Sequence, residues 1–411
     1  MSNPTVPPEA WPPAHAAARR LLSPIQRFLQ VEATGGLVLI AATVIALGWA
    51  NSRWAASYHA LWQTELSLAI GPWQFARPLQ FWVNDGLMTV FFLVVGLEIR
   101  RDMHDGELSK LRRAALPLVA ALGGMLVPAA IYAALNAGRA GARGWGIPMA
   151  TDIAFAVGVL ALLGRRVAPA LRILLLALAV IDDIGAIVVI AVFYSAGIAP
   201  DGLALAAGGV GAVAVLKAAG IRVAGLYVVP AIVVWAGLSV AGIHPSLAGV
   251  VLGLMTPVRA WSPVPEDPDP ASPAARLQSA LHPWVAYGIM PVFALANAGV
   301  ALGGASLAGD ACFVFLGVAL GLCTGKPTGI WLACALARRW TALPHGVTRG
   351  GLATAGTVAG IGFTMALFIA QLAFPPGRLL ETAKVAVLAG SVVAALAGFA
   401  IGRAILGPVR R

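Results

Sequence analysis

The chain has 411 residues, of which 59% are hydrophobic and only 11% charged, with a mean hydropathy of +0.86. Soluble domains carry about 25% charged residues, so a soluble enzyme is excluded and an all-α polytopic membrane protein is expected. The net charge of +11 comes from Lys and Arg scattered in short clusters between apolar runs. That arrangement reads as topology signals rather than a nucleic-acid surface, and no nucleic-acid partner is expected.

Residues 1–27 are Pro-rich and lack a basic segment followed at once by an apolar stretch. They read as a disordered cytoplasmic tail, not a signal peptide. Apolar runs then predict twelve spans, near 35–50, 81–97, 115–135, 146–163, 171–197 and 202–219, followed by 223–241, 243–257, 284–302, 311–335, 350–374 and 383–406. The seventh and eighth are separated at Gly242-Ile243-His244-Pro245. Between the first two spans, residues 51–80 form a long connection. Within it Thr64–Phe75 admits either a short hairpin about Gly71-Pro72 or an irregular loop. A Pro/Asp-rich loop covers Ser262–Ala274, and residues 407–411 form a short C-terminal tail. With the N-terminus inside, 21 of the 28 basic residues fall in cytoplasmic segments, 6 outside, and Lys326 within a span. The bias alternates along the whole chain, which supports twelve spans with both termini cytoplasmic. Cys312, Cys323 and Cys334 recur every eleven residues. At 1.5 Å per helical residue they stand about 16 Å apart and cannot pair with one another; they read as packing residues.

Five charged residues lie well inside predicted spans: Asp85, Asp152, Asp182, Asp183 and Lys326. An acid at mid-membrane costs roughly 2.5–3.5 kcal/mol, so the tandem pair Asp182-Asp183 marks an ion or proton path. Successive helical residues point about 100° apart. One of the pair therefore faces the path squarely, and the other reaches it obliquely or takes a cationic partner, for which Lys326 is the basic residue at that depth. Asp152 follows Pro148 and Thr151, where the missing proline N–H interrupts the fourth span. The eleventh span is broken by Gly360 and Gly362 and runs the opposite way. Paired interruptions of opposite direction point to inverted repeats and two crossing, interrupted helices. Where such helices meet, two N-terminal ends favour an acid such as Asp152, and two C-terminal ends a base such as Lys326. Asp85 reads as a cap or interfacial group, and His244 and His282 as interfacial histidines.

The blocks carrying these residues resemble the NhaA family of sodium/proton antiporters. The likeness spans most of residues 28–406 and rests on Val95-Gly96-Leu97-Glu98, ATDIAFA at 150–156, IDDIGAI at 181–187 and His244-Pro245-Ser246-Leu247-Ala248-Gly249. It continues with LHPWVAY at 281–287, ANAGV at 296–300, GKPTGI at 325–330 and GIGFTM at 360–365. The resemblance implies an electrogenic exchanger of a cell inner membrane that moves about two protons inward for one Na+ or Li+ outward. It places Asp182 and Asp183 at the cation and proton site, with Asp152 and Lys326 at the helix crossing. It also puts the 51–80 connection outside, joining two protomers into a homodimer. Family pH regulation falls on a cytoplasmic cluster, represented here by Glu98, Arg101 and Asp102, and on the histidines His244 and His282. The family prototype carries Glu-His where this chain has Gln278-Ser279, so a different pH profile is expected.

The chemistry expected of the site is competition. A carboxylate that holds a proton cannot also ligate Na+, and Thr151 or freed carbonyls complete the ion's shell. The second proton comes from either aspartate or from Lys326. No resident cofactor is called for, and the partners are the transported ions and membrane lipid. Three rivals fit less well. A proton-coupled symporter of a small solute would want a larger, aromatic-lined cavity. An intramembrane aspartyl protease would leave Asp183 and Lys326 without a role, and a channel would have no use for exchange chemistry.

Overall fold

The computed structural model describes residues 34–70, 73–104, 106, 109, 111–195, 197, 199–221, 223–258, 272–303, 308–339 and 346–407. The N-terminal tail, the turn Gly71-Pro72, most of the loop Ser262–Ala274, the tail beyond residue 407, and Lys110, Arg222 and Arg259 of the charge pattern lie outside the described residues.

Thr34–Ala50 (α1) turns by 113° into Ala55–Gln63 (α2). Glu65–Ile70 (β1) and Trp73–Pro78 (β2) then pair antiparallel, from Glu65 opposite Pro78 to Ile70 opposite Trp73. Their alternating pattern is short, and packing supplies the rest: Phe75 lies edge-on to Phe81, Trp82 and Trp235, with ring centroids 5.7 to 6.4 Å apart. Leu79–His104 (α3) and Leu111–Asn136 (α4) follow. After a 3₁₀ segment, Ala140–Met149, come Ile153–Leu162 (α5), Pro169–Phe193 (α6), Pro200–Ala218 (α7), Val228–Ala241 (α8) and Leu247–Met255 (α9). The last five are Pro273–Asn297 (α10), Asp310–Ala337 (α11), Arg349–Ala359 (α12), Phe363–Ala373 (α13) and Arg378–Ile405 (α14).

Among the described residues, eight helices are long and apolar enough to cross a membrane, or eleven when each of three bent pairs counts as one span. The protein is thus a helical, multi-pass membrane protein. The break between α8 and α9 falls at Gly242, whose left-handed conformation (φ 79°) caps α8. At 1.5 Å per residue the nine residues of α9 cover about 14 Å, short of a bilayer's ~30 Å. The distribution of side chains is inverted relative to a soluble protein. Val229, Leu396 and Leu126 are about two-thirds exposed, while Asp152, Asp182, Asp183 and Lys326 are buried.

Small residues set two close helix contacts. A Cβ on Gly96, Gly249 or Gly253 would strike backbone atoms of the facing helix, so α3 and α9 touch along their main chains. Gly123 and Gly329 do the same for α4 and α11. Gly249→Ala is expected to destabilise by about 1–3 kcal/mol, because its methyl would overlap Thr89 O. Gly208→Ala meets nothing within 4 Å and is the control. Melting in detergent should separate the two, and equal midpoints would contradict the close contact.

One basic residue is placed differently from the sequence reading. Lys384, counted with a non-membrane connection, lies two turns into α14 and is buried, with Nζ 3.8 Å from Glu381 Oε1. The helix begins at Arg378, earlier than hydropathy suggests, and Glu381 one turn before Lys384 supplies it with a counter-charge.

Candidate functional site

The site lies where two chain breaks meet. Ala140–Met149 ends beyond Pro148, residues Ala150 and Asp152 are extended, and α5 begins at a 46° bend. The second break, Gly360 to Gly362, separates α12 from α13 at a 44° bend. The Asp152 N–H donates to Ile361 O at 2.7 Å, so the two breaks are tied to each other directly.

Backbone ends of like polarity converge here. Asp152 caps α5, its Oδ1 accepting from Phe155 N at 3.1 Å. Its other oxygen accepts from Thr364 N at 3.1 Å, in the first turn of α13, and from the Thr364 hydroxyl. One carboxylate thus serves two positive helix ends. The carbonyl ends take the opposite charge: Lys326 Nζ donates to Met149 O. It also forms an ion pair with Asp182 Oδ2 at 2.8 Å, both side chains wholly buried. Thr151 Oγ1 lies 2.7 Å from the same Asp182 oxygen and 3.0 Å from Ala359 O. Lys326 reaches this level from α11, just after a π-helical turn, Gly321–Gly325, a distortion that often marks functional positions.

Asp182 and Asp183 therefore differ. Asp182 is held by Lys326 and Thr151 and keeps one oxygen, Oδ1, without a partner among the described residues. Asp183 is equally buried, yet makes no ion pair or hydrogen bond among the described residues. It lines a cavity of about 60 Å³ with Thr151, Asp152, Thr364, Glu98 and His282. That volume admits a few waters and is far below the ~300 Å³ or more of organic-ligand pockets.

The residues with an expected regulatory role do not share one place. Glu98 and His282 line the cavity, whereas Arg101 is exposed and Asp102 half-buried at the end of α3. His244 is remote from them. Its Nδ1 is 3.2 Å from Asp85 Oδ1, and its ring lies edge-on to Phe368. The sequence named no partner for Asp85, which sits in a π-helical turn, Trp82–Leu87, with its backbone carbonyl accepting from Trp235. Thr364 was also missed as a functional residue. Its position directly after the glycine break was the available signal, since the free N–H groups of a new helix attract an acid.

The comparisons with known proteins bear on the same chemistry. The family described as Na+/H+ antiporter 1 matches residues 26–401. A Na(+)/H(+) antiporter NhaA 2 from Sorangium cellulosum is 52% identical over 98% of this chain and 94% of its own length. An NhaA antiporter from Bordetella petrii is 50% identical over 96% and 93%, and one from Acidovorax sp. is 54% identical over 94% and 93%. With near-complete coverage at such identity, and with the matched region containing every site residue described above, the chain belongs to the NhaA family of Na+/H+ antiporters.

Proposed function

We propose that this protein exchanges Na+ for H+ across a cell inner membrane, and that Asp183 and Asp182 bind the cation and the protons by turns. Twelve spans carry the exchange, the short α9 with the turn before it making the eighth and the two bent pairs at the site the fourth and eleventh, with both termini cytoplasmic. About two protons move inward for each Na+ or Li+ outward, so the cycle is electrogenic. Two protomers associate through the hairpin of residues 51–80 on the outer face.

The observation that carries this reading is the asymmetry of the tandem acids. Asp183 is a buried carboxylate facing a small cavity with no ion pair or hydrogen bond of its own among the described residues, beside an Asp182 that already holds Lys326. A buried acid of that kind must take a proton or a cation. Na+ supplies the charge in one half of the cycle, and protons do so in the other. Asp182 Oδ1, Thr151 and the carbonyls at the breaks are oxygens of the hard type that Na+ prefers. Asp152 and Lys326 hold the converging helix ends together, so the site persists whichever ligand is bound. The cavity volume argues against a symporter of an organic solute.

The test is exchange in vesicles with an internal pH dye. Na+ or Li+ added outside should dissipate a preset proton gradient, and faster when the membrane potential is clamped. Because protons occupy the cation's oxygens, the apparent KM for Na+ should rise as pH falls. Where one proton competes, the rise is about tenfold per pH unit. A KM independent of pH would remove the competition, and no response to either cation would remove the antiport.

A further inference from the structure

The cavity leads from the acids toward Glu98 and His282; in the opposite direction α3, α10 and α13 close on one another. On α13, Phe368 follows Thr364 by one turn and packs against Phe92 of α3 at 5.5 Å and Phe293 of α10 at 6.2 Å between ring centroids. All three rings are buried. Beyond them lies a layer of side-chain amides. Asn297 Nδ2 donates to Asn84 Oδ1 at 2.8 Å, and Asn84 Nδ2 donates to Gln371 Oε1 at 2.5 Å. Gln80 Nε2 adds a bond to Asn297 Oδ1 at 3.2 Å.

Helix arithmetic places this layer firmly. Asn84 precedes Glu98 by fourteen residues on α3, and Asn297 follows His282 by fifteen on α10, each about 21–22 Å at 1.5 Å per residue. Gln371 lies seven residues beyond Thr364, about 10 Å past the acids. The cavity and the amide layer therefore flank the site from opposite sides.

The layer also straddles a division in the packing. Asp152 is bonded to Thr364 of α13, and Asp182 is bonded to Lys326 and to Thr151, the residue next to Asp152. Asn84 and Asn297 belong to α3 and α10 and are bonded to each other, and α3 is fused to α9 through glycine contacts. The Asn84–Gln371 amide hydrogen bond joins the two sides, next to the ring contacts of Phe368 with Phe92 and Phe293. The remaining donor of that bond's acceptor residue, Gln371 Nε2, is buried without a partner. The network thus stops short of the full satisfaction that makes a buried polar network rigid.

We propose that Asn84, Asn297 and Gln371 form a latch that shuts the site on the side away from its cavity, and that the Asn84–Gln371 bond breaks and re-forms in every transport cycle. The argument rests on the exchange reading above, because exchange requires the site to open to both sides in turn. Since α13 carries both Thr364, bonded to Asp152, and Gln371, a change at the acids is felt at the latch through one rigid helix of eleven residues. The aromatic layer then parts with it.

The test joins the two sides covalently. In a chain with Cys312, Cys323 and Cys334 replaced by alanine, Asn84→Cys and Gln371→Cys are combined and treated with a short bifunctional thiosulfonate. The tether should form, reduce Na+-driven proton flux at least tenfold, and release it again on reduction. Full flux through a tethered protein, or failure of the tether to form, would overturn the latch. Wild-type vesicles run in parallel report on exchange itself, so a loss there strikes the antiport reading instead. As a second measure, Gln371→Ala should speed hydrogen exchange in 363–373 severalfold while leaving 111–136 unchanged. Unaltered exchange in 363–373 would also overturn it.

Discussion

Asp183→Asn is expected to abolish Na+-driven proton movement, by 100-fold or more, while leaving the fold at least as stable as before. The two halves of this expectation have one cause. Asp183 has no ion pair or hydrogen bond among the described residues, so removing its charge orphans no partner. It also relieves repulsion with neighbouring Asp182. On the exchange proposed above, the cation in contrast loses an anionic ligand that has no ion pair of its own. A loss of about 3 kcal/mol in binding, modest for a desolvated charge contact, is already more than 100-fold in affinity. Asp182→Asn should behave differently, losing both exchange and stability, because it strips Lys326 of its counter-ion. Vesicle assays paired with melting in detergent read both quantities. Exchange by Asp183→Asn within twofold of wild type would remove that residue from the site. A melting midpoint for Asp182→Asn equal to that of Asp183→Asn would contradict the asymmetry.

That asymmetry shows how far the sequence could be read. The 100° between successive helical residues required Asp182 and Asp183 to differ, and the depth of Lys326 named a partner. Which acid takes the lysine depends on how α6 is rotated against α11, and those helices are more than a hundred residues apart in the chain. The same non-locality hid the Asp85–His244 pair and the bond from Thr364 to Asp152. Local chemistry was easier to read. Pro148 lacks a helical N–H donor, and Gly360 and Gly362 carry the backbone-entropy cost of glycine close together; the chain departs from helix at both places. The start of the last helix was less legible: it begins at Arg378, five residues before the apolar run, and Lys384 pairs with Glu381 one turn before it.

Lys326→Gln is expected to be the most destabilising single change at the site, at about 3–5 kcal/mol. The ammonium is wholly buried and is bonded both to Asp182 Oδ2 and to Met149 O. Without it, Asp182 keeps only Thr151 as a donor, and the carbonyl end of Ala140–Met149 loses the positive charge that faces it. Most of the loss is therefore the exposure of a buried anion to surroundings that cannot solvate it, rather than the attraction of the pair itself. A double-mutant cycle separates the two. If the unpaired anion is the cause, Asp182→Asn in the same chain should recover at least half of the stability lost in Lys326→Gln, because two neutral amides replace two charges. If Lys326 acts chiefly on the helix end, the second substitution should recover nothing, and the two losses should add. Melting midpoints of the four proteins in one detergent decide between these. Additive losses would shift the role of Lys326 from Asp182 to the backbone carbonyl of Met149.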